Sequence, residues 1–164
     1  MNKTKYMTYI TMFSSLAILL NIVESIYIPP IYYGIRFGLA NIIALIVLEK
    51  LGIKSMIIVN INRVLISNIL RGTIFNTIFW ISFNGVLLST IILIIVYYLK
   101  TSMIFKSIIS AIAHTIGQVL VVSFIYSQVN YIIMIPILVI MSIISGVLTG
   151  SISILLLNRV SLKI

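Results

Sequence analysis

Cysteine and aspartate are both absent, and the carboxylate side chains number two, Glu24 and Glu49. A single histidine, His114, completes the inventory of classical acid–base groups. Without cysteine there are no disulfides, thiolate metal sites or thiol nucleophiles. Without aspartate no Ser-His-Asp set can be assembled, and two carboxylates with one imidazole make no metal cluster. The paired Asp-rich motifs that hold Mg²⁺ and diphosphate in prenyl-transfer enzymes are excluded on the same count. No GxxxxGK[ST] phosphate loop occurs. The sequence therefore predicts no resident cofactor, no metal and no catalytic residues.

What is present is apolar. Of 164 residues, 62% are hydrophobic and 8% are charged, and the mean hydropathy is +1.28. A soluble domain of this size lacks the polar residues to cover so much apolar surface. Apolar runs recur along the whole chain, so lipid is the expected solvent and a single transmembrane domain over residues 1–164 the expected organisation. The net charge is +9, but the cations lie between the apolar runs and form no patch. They read as topology signals and not as a nucleic-acid surface.

Six helical spans are expected, at Met7–Ile26, Gly38–Glu49, Ile53–Ile69, Ile74–Leu99, Ser107–Tyr126 and Ile132–Asn158, because backbone in lipid must satisfy its own hydrogen bonds. The first, behind Lys3 and Lys5, reads as an uncleaved span and not as a signal peptide. With the N-terminus inside, the inner segments hold Lys3, Lys5, Lys50, Lys54, Lys100, Lys106, Arg159 and Lys163, and the outer loops hold Arg36 and Arg71. Eight cations against two bias the chain strongly toward an N-in/C-in orientation. Tyr6, Tyr9, Tyr97 and Tyr98 fall at the inner boundary; Tyr27, Tyr32, Tyr33, Tyr126 and Tyr131 fall at the outer one, where amphipathic rings are favoured. The second span is short, and a re-entrant hairpin with the third would bury Lys50 and Lys54 at roughly 2.5–3.5 kcal/mol each. A spanning helix whose outer half is replaced by a folded loop costs less, which makes the Glu24–Phe37 stretch a loop tucked into the bundle. Its prolines stop the first helix from running into the second.

Polar residues at membrane depth mark the candidate site. Arg63 lies nine residues past Lys54, roughly 14 Å deep at helical rise, and an arginine there needs a partner, water or a ligand. Asn60, Arg63 and Ser67 form one stripe on the third helix, while Ser110, His114 and Gln118 share a face of the fifth at a similar depth. Ala113 and Gly117 permit a close helix approach. Asn84 and Asn41 complete the set. Glu24, near the outer interface, is placed to pair with Arg36 or Arg71. On the sixth helix Ser142, Gly146 and Gly150 form a small-residue packing face.

Glu24, the proline-containing loop, "GIRFGLANII" (Gly34–Ile43), "EKLGIKSMIIVNINRVLISNILRG" (Glu49–Gly72) and "AHTIGQ" (Ala113–Gln118) together resemble the Gx transporter family, commonly labelled heptaprenyl diphosphate synthase component I. The similarity covers about residues 10–157. It implies a six-helix bundle like the substrate-binding S-components of energy-coupling-factor transporters. Those components bind a small molecule from outside and are powered by ATPases and a scaffold subunit. The motif-matching positions are Glu24, Gly38, Asn41, Arg63, His114, Gly117 and Gln118. S-components often use Ala-x-x-x-Ala on the first helix to meet the scaffold, where this chain offers only Ser14, Ser15 and Ala17. The expected function is a multi-pass cell-membrane transport subunit that binds an uncharged, anionic or isoprenoid small molecule in an outward-facing pocket, through Glu24, Arg36, Asn41, Asn60, Arg63, Asn84, His114 and Gln118. The alternatives are an accessory subunit to a prenyltransferase in polyprenyl diphosphate or menaquinone side-chain synthesis, and a structural membrane subunit without a ligand.

Overall fold

The computed structural model describes residues 2–27, 38–126 and 135–160, together with Ile133 and excepting the side chain of Tyr126. The expectations for Arg36, Tyr32, Tyr33, Tyr131, Lys163 and most of the proline-containing loop lie outside the described residues.

Six helices are described: α1 (Lys3–Tyr27), α2 (Asn41–Leu51), α3 (Ile53–Leu70), α4 (Thr77–Tyr98), α5 (Met103–Tyr126) and α6 (Ile135–Arg159). No strand occurs among the described residues. Five of the six helices are long and apolar enough to cross a membrane; α2 is not. Its 11 residues reach about 16 Å, against roughly 30 Å of hydrocarbon.

Local chemistry sets the breaks. Gly52, with φ +83°, separates α2 from α3, and its N–H closes the end of α2 onto the carbonyls of Val47 and Leu48 at 3.1 and 3.2 Å. Only glycine takes this backbone conformation without strain. Arg71 closes α3 from within: its Nε donates to the Ser67 carbonyl at 3.1 Å and its Nη2 to Asn68 Oδ1 at 2.9 Å, quenching orphan groups at a helix C-terminus. Asn76 caps α4, its Oδ1 accepting from the Thr77 N–H at 2.7 Å.

The short α2 is the hub. Every residue from Asn41 to Leu48 is buried, and the helix packs on α1, α3, α5 and α6. A helix apolar all round is stable only when enclosed. Phe13 and Ala17 of α1, Met56 and Val59 of α3 and Leu93 of α4 complete the core around it. Lys54 stays exposed and Lys50 half-exposed.

The other helices meet through small residues and hydroxyls, since lipid supplies no hydrophobic drive between helices. A Cβ on Gly117 of α5 would stand 2.7 Å from the Asn84 carbonyl of α4, and one on Gly146 of α6 would stand 2.6 Å from the Cα of Ile108 on α5. Thr115 and Ser142 are hydrogen bonded at 2.6 Å, and Ser107 and Thr149 at 2.9 Å. The small-residue face of α6 is thus occupied by α5 of the same chain. On α1, Ser14 accepts from Asn62 Nδ2 at 3.2 Å, and Tyr6 is bonded to Ser55 at 2.8 Å, fastening α1 to α3.

Candidate functional site

Arg63 is 1% exposed, among the largest fully buried side chains described. It projects from α3 because Asn60, Arg63 and Ser67 recur at helical spacing on the face turned away from lipid, and all three are buried. Its Nη1 donates to Asn41 Oδ1, the first residue of α2, at 3.0 Å. Its Nε meets no acceptor among the described residues. A buried guanidinium with donors to spare is costly unless charge or hydrogen bonding compensates it.

Glu24 supplies the charge. It is 1% exposed and lines the same small cavity as Arg63, close enough for the two charges to attract. Its carboxylate also accepts the backbone N–H groups of Gly38 at 2.6 Å and Leu39 at 3.0 Å. Those are the residues that lead into α2. Gly38 has φ +77°, and a Cβ there would stand 2.8 Å from Asn41 Nδ2, so this turn is restricted to glycine. One buried carboxylate on α1 thereby fixes the start of α2, and α2 presents Asn41 to Arg63.

His114 and Gln118 complete the cavity from α5, with Ser82 and Val86 from α4 and Asn21 from α1. They reach it through a glycine crossing. A Cβ on Gly85 would stand 2.8 Å from Gln118 Cγ and 3.0 Å from His114 Cε1, so α4 has no side chain where the two α5 residues need room. The result is a desolvated cluster of a cation, an anion, an imidazole and two amides, facing one another from α1, α3 and α5 and from the turn before α2. The space left open to water-sized spheres is about 10 Å³, room for one water.

Of the residues singled out in sequence, Glu24, Arg63, His114 and Gln118 line this cavity, and Asn41 touches it through Arg63. Asn60 lies apart: its Nδ2 donates to Thr90 Oγ1 at 2.8 Å, and it lines an apolar groove of about 240 Å³ between α3 and α4. Asn84 donates to the Trp80 carbonyl of its own helix at 3.0 Å and is not in the cavity lining. Arg36 is outside the described residues. Sequence reasoning missed Asn21, Ser82 and Gly85. Asn21 lies at i−3 from Glu24, and that spacing was the available signal.

The second carboxylate forms a separate centre. Glu49, near the end of α2, is ion-paired with Lys106 in the first turn of α5, and Lys106 Nζ also sits 5.3 Å from the ring centroid of Tyr97. In the sequence Lys106 is a loop cation; here it is a buried helical one.

The family model for heptaprenyl diphosphate synthase component I matches residues 13–156. No curated protein and no solved structure matches the chain.

Proposed function

The chain belongs to the heptaprenyl diphosphate synthase component I family, and on that premise we propose that it is a membrane-embedded binding subunit. It holds a small polar or anionic molecule at the Arg63 centre and works with partner subunits that supply energy for uptake. The N-in/C-in orientation taken from the cation distribution places the Glu24 end outward. The observation that carries this reading is Arg63. It is buried at mid-helix, one of its N–H donors meets no acceptor among the described residues, and it shares its cavity with His114 and Gln118, which bring further hydrogen-bonding groups. A ligand carboxylate or phosphate would match the guanidinium fork. The cavity as it stands admits about one water, so binding requires opening. The hydrogen bonds from Gly38 and Leu39 to Glu24 are the natural latch, because an anion reaching Arg63 competes with Glu24 for it.

A second reading has two supports: the family description names a synthase component, and Ser14 and Ala17 of α1 are buried. Ser14 is bonded to α3 and Ala17 lies in the core around α2, so both are engaged within the chain. That residue pair is then not free to meet a transporter scaffold. In this reading the chain is a non-catalytic membrane partner of a soluble prenyltransferase.

Native mass spectrometry of the protein purified in mild detergent separates the two. A stoichiometric small molecule that is lost in Arg63→Gln and in His114→Ala supports the binding subunit and identifies its ligand. A retained prenyltransferase with no small molecule supports the accessory subunit. Ligand retained equally by folded Arg63→Gln protein overturns the role of the Arg63 centre.

A further inference from the structure

A second polar cavity lies at the opposite end of the bundle from Glu24, where α2 ends and α4 turns into α5. It measures about 370 Å³ and is lined by Glu49, Tyr97, Tyr98, Lys100, Thr101 and Lys106. That is within the size range of small-molecule sites, which place a few convergent polar groups in a concave wall. The helix ends around it put it at the level of a membrane–water interface, whichever way the chain is oriented. Lys106 is 6% exposed; its ammonium is held between the Glu49 carboxylate and the face of Tyr97. Lys100 is exposed and adopts φ +52°, an uncommon conformation for a side-chain-bearing residue. Tyr97, Tyr98 and Thr101 are the hydroxyl-bearing residues of the same lining, and the Thr101 hydroxyl donates to the Val96 carbonyl at 3.5 Å. Across the lining two ammonium groups stand against one carboxylate, an excess of one positive charge.

We propose that this cavity binds the phosphate group of an anionic phospholipid at the membrane interface. Lys100 and the tyrosine hydroxyl groups take the phosphate, and the acyl chains lie along the exposed apolar side chains beside it, among them Leu99. A lone phosphate carries the charge but lacks the chains, so an anionic lipid satisfies both the polar cavity and its apolar rim. The chemistry shared with a free phosphate or diphosphate ion is the charge-assisted hydrogen bonding of the phosphate oxygens. Glu49 opposes this binding, because its carboxylate repels phosphate and occupies Lys106.

The test uses the full chain in mild detergent. Native mass spectrometry titrates short-chain phosphatidylglycerol, short-chain phosphatidylcholine and inorganic diphosphate separately. Phosphatidylglycerol is expected to bind at one equivalent and more tightly than phosphatidylcholine. Lys100→Gln, at an exposed position where folding is preserved, is expected to weaken it about fivefold, as removal of one interfacial cation does. Glu49→Gln is expected to tighten it, a change of sign that loss of structure would not produce. Diphosphate binding with the same dependence on Lys100 and Glu49 supports the phosphate site and names a free anion as its source. Equal binding of the two lipids, or phosphatidylglycerol binding that neither substitution changes, overturns the proposal.

Discussion

Glu24 and Arg63 should behave as one energetic unit, and a double-mutant cycle in stability can show it. Glu24→Gln keeps one carbonyl acceptor but removes the negative charge. One of the two N–H groups now bonded to the carboxylate, Gly38 or Leu39, loses its partner, and charge-assisted hydrogen bonds are worth about 1.5–3 kcal/mol. Arg63, fully enclosed, is left as an uncompensated cation, and breaking a buried pair from one side costs about 3–5 kcal/mol. The single substitution is therefore expected to destabilise by about 3–5 kcal/mol, and Arg63→Gln by a similar amount. The double substitution removes both charges and should cost at least about 2 kcal/mol less than the sum, within the range of coupled neighbours. Trp80, the single tryptophan, packs edge-on against Phe79 at 5.3 Å between ring centroids, so its fluorescence reports the unfolding of α4 in detergent. Additivity within about 0.5 kcal/mol would refute the coupling and leave Glu24 as a turn-holding residue alone.

Three further outcomes follow from the packing. Gly117→Val forces α4 and α5 apart at a backbone-to-backbone contact and should cost about 1–3 kcal/mol or more, whereas Asn84→Ala, which removes a bond to the Trp80 carbonyl of its own helix, should change thermal stability by under about 0.5 kcal/mol; the two melting curves compare them directly. Gly146→Val should likewise lower stability at the α5–α6 contact, read by the same melt, while Gly72→Ala, with open space around it but φ +65°, should cost only about 1 kcal/mol of backbone strain. Because the native chain lacks cysteine, single-cysteine variants report topology cleanly. Cysteine at Thr101 should react with an impermeant maleimide only after the cells are permeabilised, and cysteine at Thr73 should react in intact cells; the reverse pattern overturns the N-in orientation.

The long helices were legible because lipid imposes the same demand on each of them, roughly twenty apolar residues with internally paired backbone. The expected Ile53–Ile69 and observed Ile53–Leu70 differ by one residue. At α5 the expected start, Ser107, is four residues late against Met103, because Lys106 reads as a loop cation until Glu49 is seen to hold it. That partner lies 57 residues away in sequence, and no spacing rule reaches so far. The depth arithmetic put Arg63 and His114 at one level, and they line one cavity. It put Glu24 near the outer interface, paired with Arg36 or Arg71, because it treats helices as straight and parallel rods and knows nothing of the turn at Gly38 and Leu39 that Glu24 holds. Gly85 was invisible for a related reason: its importance lies in what crosses it, not in its neighbours along the chain.

The enclosure of α2 has a mechanical consequence. A change in bilayer thickness is met by tilting of helices that touch lipid, at fractions of a kcal/mol per Å of mismatch. The long helices present apolar faces outward and will respond. From Asn41 to Leu48 α2 is clad in protein and feels the bilayer only through its neighbours. Thickness variation therefore becomes relative motion between a stationary short rod and the helices leaning around it. That motion is transmitted where the rod is pinned, at Asn41 to Arg63 on one end and at Glu49 to Lys106 on the other, so the two ionic centres are mechanically connected through a single rigid strut.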